Sequence, residues 1–285
     1  MALKYKVLTA LGNNSRRANG SAMNGGVVFL SNQRLVYIRD LLFTLVARDM
    51  KLRYKRSILG IGWSLLTPLA QLAVYYLIFD VLLPLNIPNY PSFLFSGVLI
   101  WNWFQGSLFQ ATSAIVDNRE LIKRPNFPVA ILPAVTVTSH LIHFLLALPI
   151  LFIFLVMGGS RLTGALLAFP LVVAIQFILT LSLAYFAATF YVTFRDTQYL
   201  LGVFLNLFFF LSPIFYKSSD LPARYQPLYR INPMVHLIES YRSILLSGVL
   251  PDAAALLNVT IPAIGVLFLG YYVFRKASNH FVDEL

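Results

Sequence analysis

Six long runs of apolar residues, almost free of charge, lie at approximately 61–85, 92–116, 129–157, 164–194, 198–216 and 255–274. Each is near or above the ~20 helical residues that the hydrocarbon core of a bilayer requires. In lipid, backbone N–H and C=O groups find no water, so a spanning segment must satisfy them within a helix or a closed barrel. Barrel strands alternate apolar and polar residues over about ten positions, and these runs do not alternate. They predict an all-α integral membrane protein with six transmembrane helices. Composition agrees: of 285 residues, 58% are hydrophobic and 12% charged, against about 45–50% and ~25% in soluble domains. A soluble domain of this size has too little interior for so much apolar surface. Disorder is excluded too, because disordered chains are charge-rich and apolar-poor. The third and fourth runs exceed a straight span, and Pro133, Pro149 and Pro170 predict bends near their ends.

The net charge is +11. Lys and Arg cluster beside the apolar runs, which points to anionic headgroups and membrane orientation and not to nucleic acid. With the N-terminus inside, 17 of the 22 basic residues fall on cytoplasmic segments, so both termini are expected in the cytoplasm. No charged, apolar and cleavage-site pattern opens the chain, so no removable signal peptide is expected. The chain has no cysteine, which excludes thiol catalysis and Cys-ligated metals.

Residues 12–26 are rich in Gly and Asn without periodicity and predict a flexible cytoplasmic tail over 1–32. Residues 33–60 read as an amphipathic helix lying in the inner interface. Ile38, Leu41, Leu42, Leu45, Val46 and Leu52 follow helical spacing on one face. Arg48, Lys51, Arg53, Lys55 and Arg56 suit anionic headgroups; a plain basic anchor before the first span is the simpler alternative. The six-span domain covers 61–274, followed by a cytoplasmic C-terminus at 275–285. Within it, the outer segment 217–250 is broken by Pro222, Pro227 and Pro233. Its apolar piece of about 15 residues is too short to cross. Two short re-entrant half-helices fit, with Tyr225, Tyr229, Asn232, Pro233 and Glu239 as an outer gate. An exposed loop with one surface helix fits as well.

The run Val46–Pro68 carries Arg48, Asp49, Lys51, Arg53, Tyr54, Lys55, Ser57, Leu59, Gly60, Trp63 and Pro68. Phe194-Arg195-Asp196 precedes the fifth span, which ends Leu211-Ser212-Pro213-Ile214-Phe215-Tyr216, and Asn232-Pro233 follows. In these motifs and their order the chain closely resembles ABC-2 type permeases that export polysaccharides, over about residues 35–275. The resemblance implies a homodimer in the bacterial inner membrane, with two copies of a separate nucleotide-binding subunit that hold ATP and Mg. It also implies a lipid-linked glycan cargo such as O-antigen, capsule or teichoic acid. Re-entrant helices before the last span belong to the same picture.

The energy source must be supplied from outside this chain, because no Gly-Lys pair and hence no Walker A phosphate cradle occurs. Asp80 is the only acidic residue in any span, which argues against ion coupling. The cytoplasmic connection Asp117–Pro128 places Leu121 and Ile122 among Arg119, Glu120, Lys123 and Arg124. One helical turn there fits a groove on an ATPase, and in the resembled family this connection is a coupling helix. A short solvated turn is the alternative.

A sugar pathway needs aromatic faces and sparse hydrogen-bonding groups. Tyr75, Tyr76, Trp101, Trp103, Phe104, Phe208, Phe215 and Tyr216 in the first, second and fifth spans are the candidate glycan-channel residues. Gln71, Gln105, Gln110 and Asn206 are their polar partners. Aromatics also form interface belts and lipid-facing surface. His140 and His143 share a helix face, but two His without an acidic or Cys neighbour are insufficient for zinc, so packing or interhelical hydrogen bonding is the expectation. No catalytic residues, metal or nucleic-acid partner are expected. A drug or small-lipid exporter of the same broad type, a membrane-embedded glycan transferase and a passive channel remain the rivals.

Overall fold

The computed structural model describes the backbone of residues 23–160 and 163–284 and, within them, side-chain surroundings from Arg34 onward apart from positions 228, 282 and 283. Residues 1–22 of the expected tail therefore lie outside the described residues. Every regular element described is helical: α1 (Met23–Tyr54), α2 (Trp63–Tyr76), α3 (Tyr90–Asp117), α4 (Arg119–Ile122), α5 (Ile131–Met157), α6 (Phe169–Thr193), α7 (Thr197–Leu211), α8 (Gln226–Tyr229), α9 (Pro233–Leu245), α10 (Ala253–Ala277) and α11 (Phe281–Glu284). The described residues fall into two compact units, one up to Leu41 and one from Leu42 onward. In the first, Arg39 pairs with its neighbour Asp40 at 2.9 Å on an exposed surface. The membrane bundle is the second.

Among the described residues four helices are long and apolar enough to cross a membrane: Gly60–Leu82, Ile131–Met157, Gly164–Thr193 and Ala253–Ala277. They match the first, third, fourth and sixth predicted runs. The first joins a 3-10 turn at Gly60–Gly62, α2 and a wider π turn at Leu77–Leu82. The second and fifth runs differ from the others, for opposite reasons. Helix α3 has 28 residues but is too polar, with Ser92, Ser96, Asn102, Gln105, Ser107, Gln110 and Thr112 along it. It packs against α2, α5, α6, α7 and α9. A helix surrounded by protein need not be greasy, provided its polar groups are bonded. Ser107 and Thr112 accordingly donate to the carbonyls of Trp103 and Leu108, at 2.6 and 2.7 Å. Helix α7 is apolar but has 15 residues, which is ~22 Å of helix. It stops at Leu211 and not at 216. Pro213 has no N–H and forces the preceding residue out of the helical region, and Ser212 is extended at ψ 151°.

The prolines do not break the long helices where bends were predicted. Pro133 sits in the first turn of α5, where its missing N–H has no partner to lose. Pro170 likewise opens α6. Pro149 lies inside α5, yet the helix continues to Met157.

Helix α1 begins at Met23 and ends at Tyr54, so its bounds differ from the predicted 33–60 at both ends. Arg56 terminates it in the left-handed region at φ 64°. Leu45 and Val46 are buried as the stripe requires, but Leu52 is exposed. In its last turns α1 meets α3 and α5 through polar side chains instead. The outer segment holds one substantial helix, not two half-helices. Residues Ser218–Tyr229 form only 3-10 turns and the single turn α8, while α9 is buried against α3, α6 and α10. Leu237, Ile238 and Tyr241 of α9 are fully buried.

Candidate functional site

At the basic end of the bundle, the last turns of α1 are tied to α3 and α5. Arg48 Nη2 donates to Asn118 Oδ1 at 2.6 Å, and Arg53 donates to Gln110 Oε1. Gln110 Nε2 in turn donates to Asp49 Oδ1 at 3.5 Å. His140 Nε2 lies 2.9 Å from Gln110 Oε1, and the Tyr54 hydroxyl 3.0 Å from His143 Nδ1. The two histidines therefore serve interhelical hydrogen bonds. Gln110, read from sequence as a sugar partner, is a hub between α1 and α5. Of the five basic residues assigned to headgroups, Arg48 and Arg53 are engaged with α3, while Lys51, Lys55 and Arg56 are exposed.

The predicted partner-contact turn is present as α4. Ile122 is buried and Leu121 half-buried, and they anchor the turn to the bundle. Arg119, Glu120, Lys123 and Arg124 are exposed, with Arg119 Nε 3.9 Å from Glu120 Oε1. Asn118, which accepts from Arg48, is the residue immediately before this turn and also donates to the Ala114 carbonyl at 2.9 Å.

Between α2, α3, α5 and α7 lies a cavity of about 670 Å³ whose lining begins at Arg53 and Tyr54. Gln71, Asn102, Gln105 and Asn206 supply its amides, and Trp63, Trp103 and Phe109 its rings. Asn102 donates to Gln71 at 2.7 Å, and Gln105 accepts from the Trp101 indole at 2.7 Å. An amide has two donor and two acceptor sites, so these groups retain hydrogen-bonding capacity towards a ligand.

The candidate channel aromatics separate into distinct places. Tyr75 of α2, Phe209 of α7 and Phe215 meet with ring centroids 5.0 to 5.9 Å apart, and Trp101 of α3 joins Phe209 at 5.8 Å. The first, second and fifth predicted runs thus do converge on one ring cluster. Trp101 and Phe215 are nonetheless buried inside it. Trp103, two residues on, points to the other side of α3 and stacks on Phe144 of α5 at 5.2 Å. Tyr76 faces Tyr90 at 6.5 Å. Phe104 and Phe208 line a second, larger groove of about 1940 Å³ between α3, α6, α7, α9 and α10.

At the opposite end, Asn232 accepts from Met234 N at 3.0 Å and donates to Ser212 Oγ at 3.1 Å. It caps α9 and fastens it to the kink after α7, while Pro233 takes the first helical position, where proline is favoured. Glu239 accepts from Ser218. Tyr216 and Tyr229 lie 6.3 Å apart, and Tyr225 is exposed. Arg242 is one of the five basic residues that the sequence places outside the cytoplasmic segments, with no site role assigned to it there. Its guanidinium is buried and donates to the carbonyls of Pro213, Ile214 and Phe93. Burial lowers its pKa to about 9, against upward pulls from Tyr229, Glu239 and Tyr90. The available signal was a charged residue one turn after Glu239 in a helix that carries Met234, Val235, Leu237, Ile238, Ile244 and Leu245.

A profile of the ABC-2 type transporter family matches residues 40–246, which takes in the basic end, the cavity and most of the outer cap. The chain is similar to the O-antigen export system permease protein RfbA of Myxococcus xanthus, with 38% identity over 256 residues, covering 89% of this chain and 98% of that protein. A protein of the same name from Klebsiella pneumoniae is 30% identical over 253 residues, 88% of this chain and 97% of its own length. The polysialic acid transport protein KpsM of Escherichia coli is 24% identical over 238 residues, 82% of this chain and 92% of that protein. The chain therefore belongs to the ABC-2 type transporter family, as a multi-pass transmembrane subunit of an ABC exporter.

Proposed function

We propose that the protein exports a lipid-linked polysaccharide such as O-antigen across the bacterial inner membrane, as one half of a homodimeric permease driven by two copies of a separate ABC ATPase. The observation that carries this reading is the cavity lined by Arg53, whose walls combine the amides Gln71, Asn102, Gln105 and Asn206 with the rings of Trp63, Trp103 and Phe109. Rings stack on the C–H faces of sugars, and amides match their hydroxyls. The volume of about 670 Å³ falls in the ~300–1,000 Å³ range of small-molecule sites, enough for a few sugar units at a time. Lys51, Lys55 and Arg56 are exposed, close in sequence to Arg53 of the cavity lining, and suit the phosphate of a lipid carrier.

Six spans complete the subunit in this reading. Helix α3 crosses sheltered by its neighbours, and α7 crosses together with the residues that follow its kink. Both termini lie in the cytoplasm, α1 rides the inner interface, and α4 contacts the ATPase, which holds ATP and Mg. The exposed apolar faces of α2 (Leu66, Val74) and α7 (Val203, Phe204, Leu207) supply the surface for a second copy. The test is ATPase stimulation in the reconstituted complex. Purified lipid-linked glycan is expected to raise turnover several-fold. Stimulation by small hydrophobic compounds and not by glycolipid would move the protein to drug or lipid export.

A further inference from the structure

Helix α9 carries a buried cation that makes no direct ion pair with an acid among the described residues. Arg242 is 8% exposed, and the ion pairs among the described residues are Arg39–Asp40 and Arg119–Glu120. Glu239, one turn earlier on α9, takes its hydrogen bond from Ser218. Arg242 donates instead to main-chain carbonyls: Nη1 to Pro213, and Nη2 to both Phe93 and Ile214 at 3.0 Å. Its Cζ stands 3.4 Å over the Phe93 ring. One side chain thus joins α9, the stretch after α7 and the head of α3. The space for it comes from Gly97, where a Cβ would lie 2.8 Å from Arg242 Nη2 and 3.3 Å from Ile214 Cα.

Two of the three acceptors, the Pro213 and Ile214 carbonyls, exist because α7 has ended. Pro213 supplies no N–H, and the carbonyls beyond Leu211 have left the helical ladder. A guanidinium shielded from water and making no direct ion pair is held mainly by such acceptors. When they separate, water becomes its better solvent. The contact is therefore two-state, complete or hydrated, and not gradually adjustable.

We infer that Arg242 is the latch of the outer end: a positioning residue that ties α9 to the α7 kink and to α3 in the closed state and enters water when the pathway opens. The inference rests on the reading of this protein as an exporter whose outer segment is its gate. The chain has no cysteine, so Ile214→Cys places a unique thiol at a position that is now 0% exposed. Membranes containing this variant and the partner ATPase are treated with a membrane-impermeant methanethiosulfonate. Labelling is expected to be slow at rest and about tenfold faster during ATP turnover, as the open population rises. Adding Arg242→Lys keeps the charge but loses the planar fork that spans several acceptors. Resting labelling is then expected to rise about tenfold. Gly97→Ala, which presses on Nη2 while keeping the arginine, should shift the rate the same way. Equal resting rates with and without Arg242→Lys, where turnover still accelerates labelling, would overturn the latch alone. Failure of both Arg242→Lys and Gly97→Ala to assemble would overturn it too, making Arg242 a folding residue. A thiol that stays unreactive throughout turnover would remove the gate reading and the latch together.

Discussion

Gly106 leaves no room for a methyl group: a Cβ there would lie 2.6 Å from His140 Cε1. His140 cannot swing away freely, because Gln110 holds its other side. Gly106→Ala is therefore expected to cost about 1–3 kcal/mol, the usual penalty of overpacking, seen as a lower melting temperature in detergent. Gly265→Ala, with nothing within 4 Å, should leave the melting temperature unchanged. Gln110→Leu leaves His140 and Asp49 without their bonds and is expected to cost about 1–3 kcal/mol in the same melt. The sequence showed that Gln110 and the histidine pair were unusual in an apolar setting. It did not show which partners they meet, because Arg53 and Asp49 lie 57 and 61 residues away from Gln110. Pairings at that separation depend on how the helices pack. Arg242 was hidden for the same reason, its acceptors being carbonyls up to 149 residues distant.

Two short helices lie between the spans, and their ends show what holds them. Helix α9 starts on the Asn232 cap and Pro233. Asn232→Ala removes the cap and the bond to Ser212, and is expected to cost about 1 kcal/mol; thermal melting beside Asn232→Ser, which retains a capping oxygen, checks it. Helix α4 is held by Ile122 while its charged residues face outward. Glu120→Lys or Arg124→Glu should leave dimer and ATPase assembly intact but separate hydrolysis from export. Normal export at a wild-type ratio to ATP consumed would contradict that role. Elements bounded by local chemistry were legible in advance. The apolar runs marked four spans, and the prolines around a short apolar piece marked α9. Lengths and surroundings were less legible. Helix α3 resembles a weak span because hydropathy reports lipid contact, and α3 has mostly protein neighbours. Helix α7 ends early at Pro213 although the apolar run continues past it.

Taken as a molecule, the chain has a charged end tied to the turn α4, a ring-and-amide cavity lined by Arg53 of that end, and α9 fastened through Asn232 and Arg242 to the stretch after α7. This polarity suits a subunit that receives mechanical work at one face and releases cargo at the other. Neutralising Lys51, Lys55 and Arg56 together should weaken binding of phosphate-bearing lipid-linked glycan, with a loss that shrinks as salt rises, because exposed charges are screened. Unchanged binding at low salt would remove those residues from the site. The most direct measurement is transfer of a lipid-linked glycan across vesicles that contain this chain and its ATPase. ATP-dependent appearance of the glycan on the far side, absent when either subunit is omitted, is predicted. Equal transfer by the chain alone, or none of the glycan with both subunits hydrolysing ATP, would contradict the account.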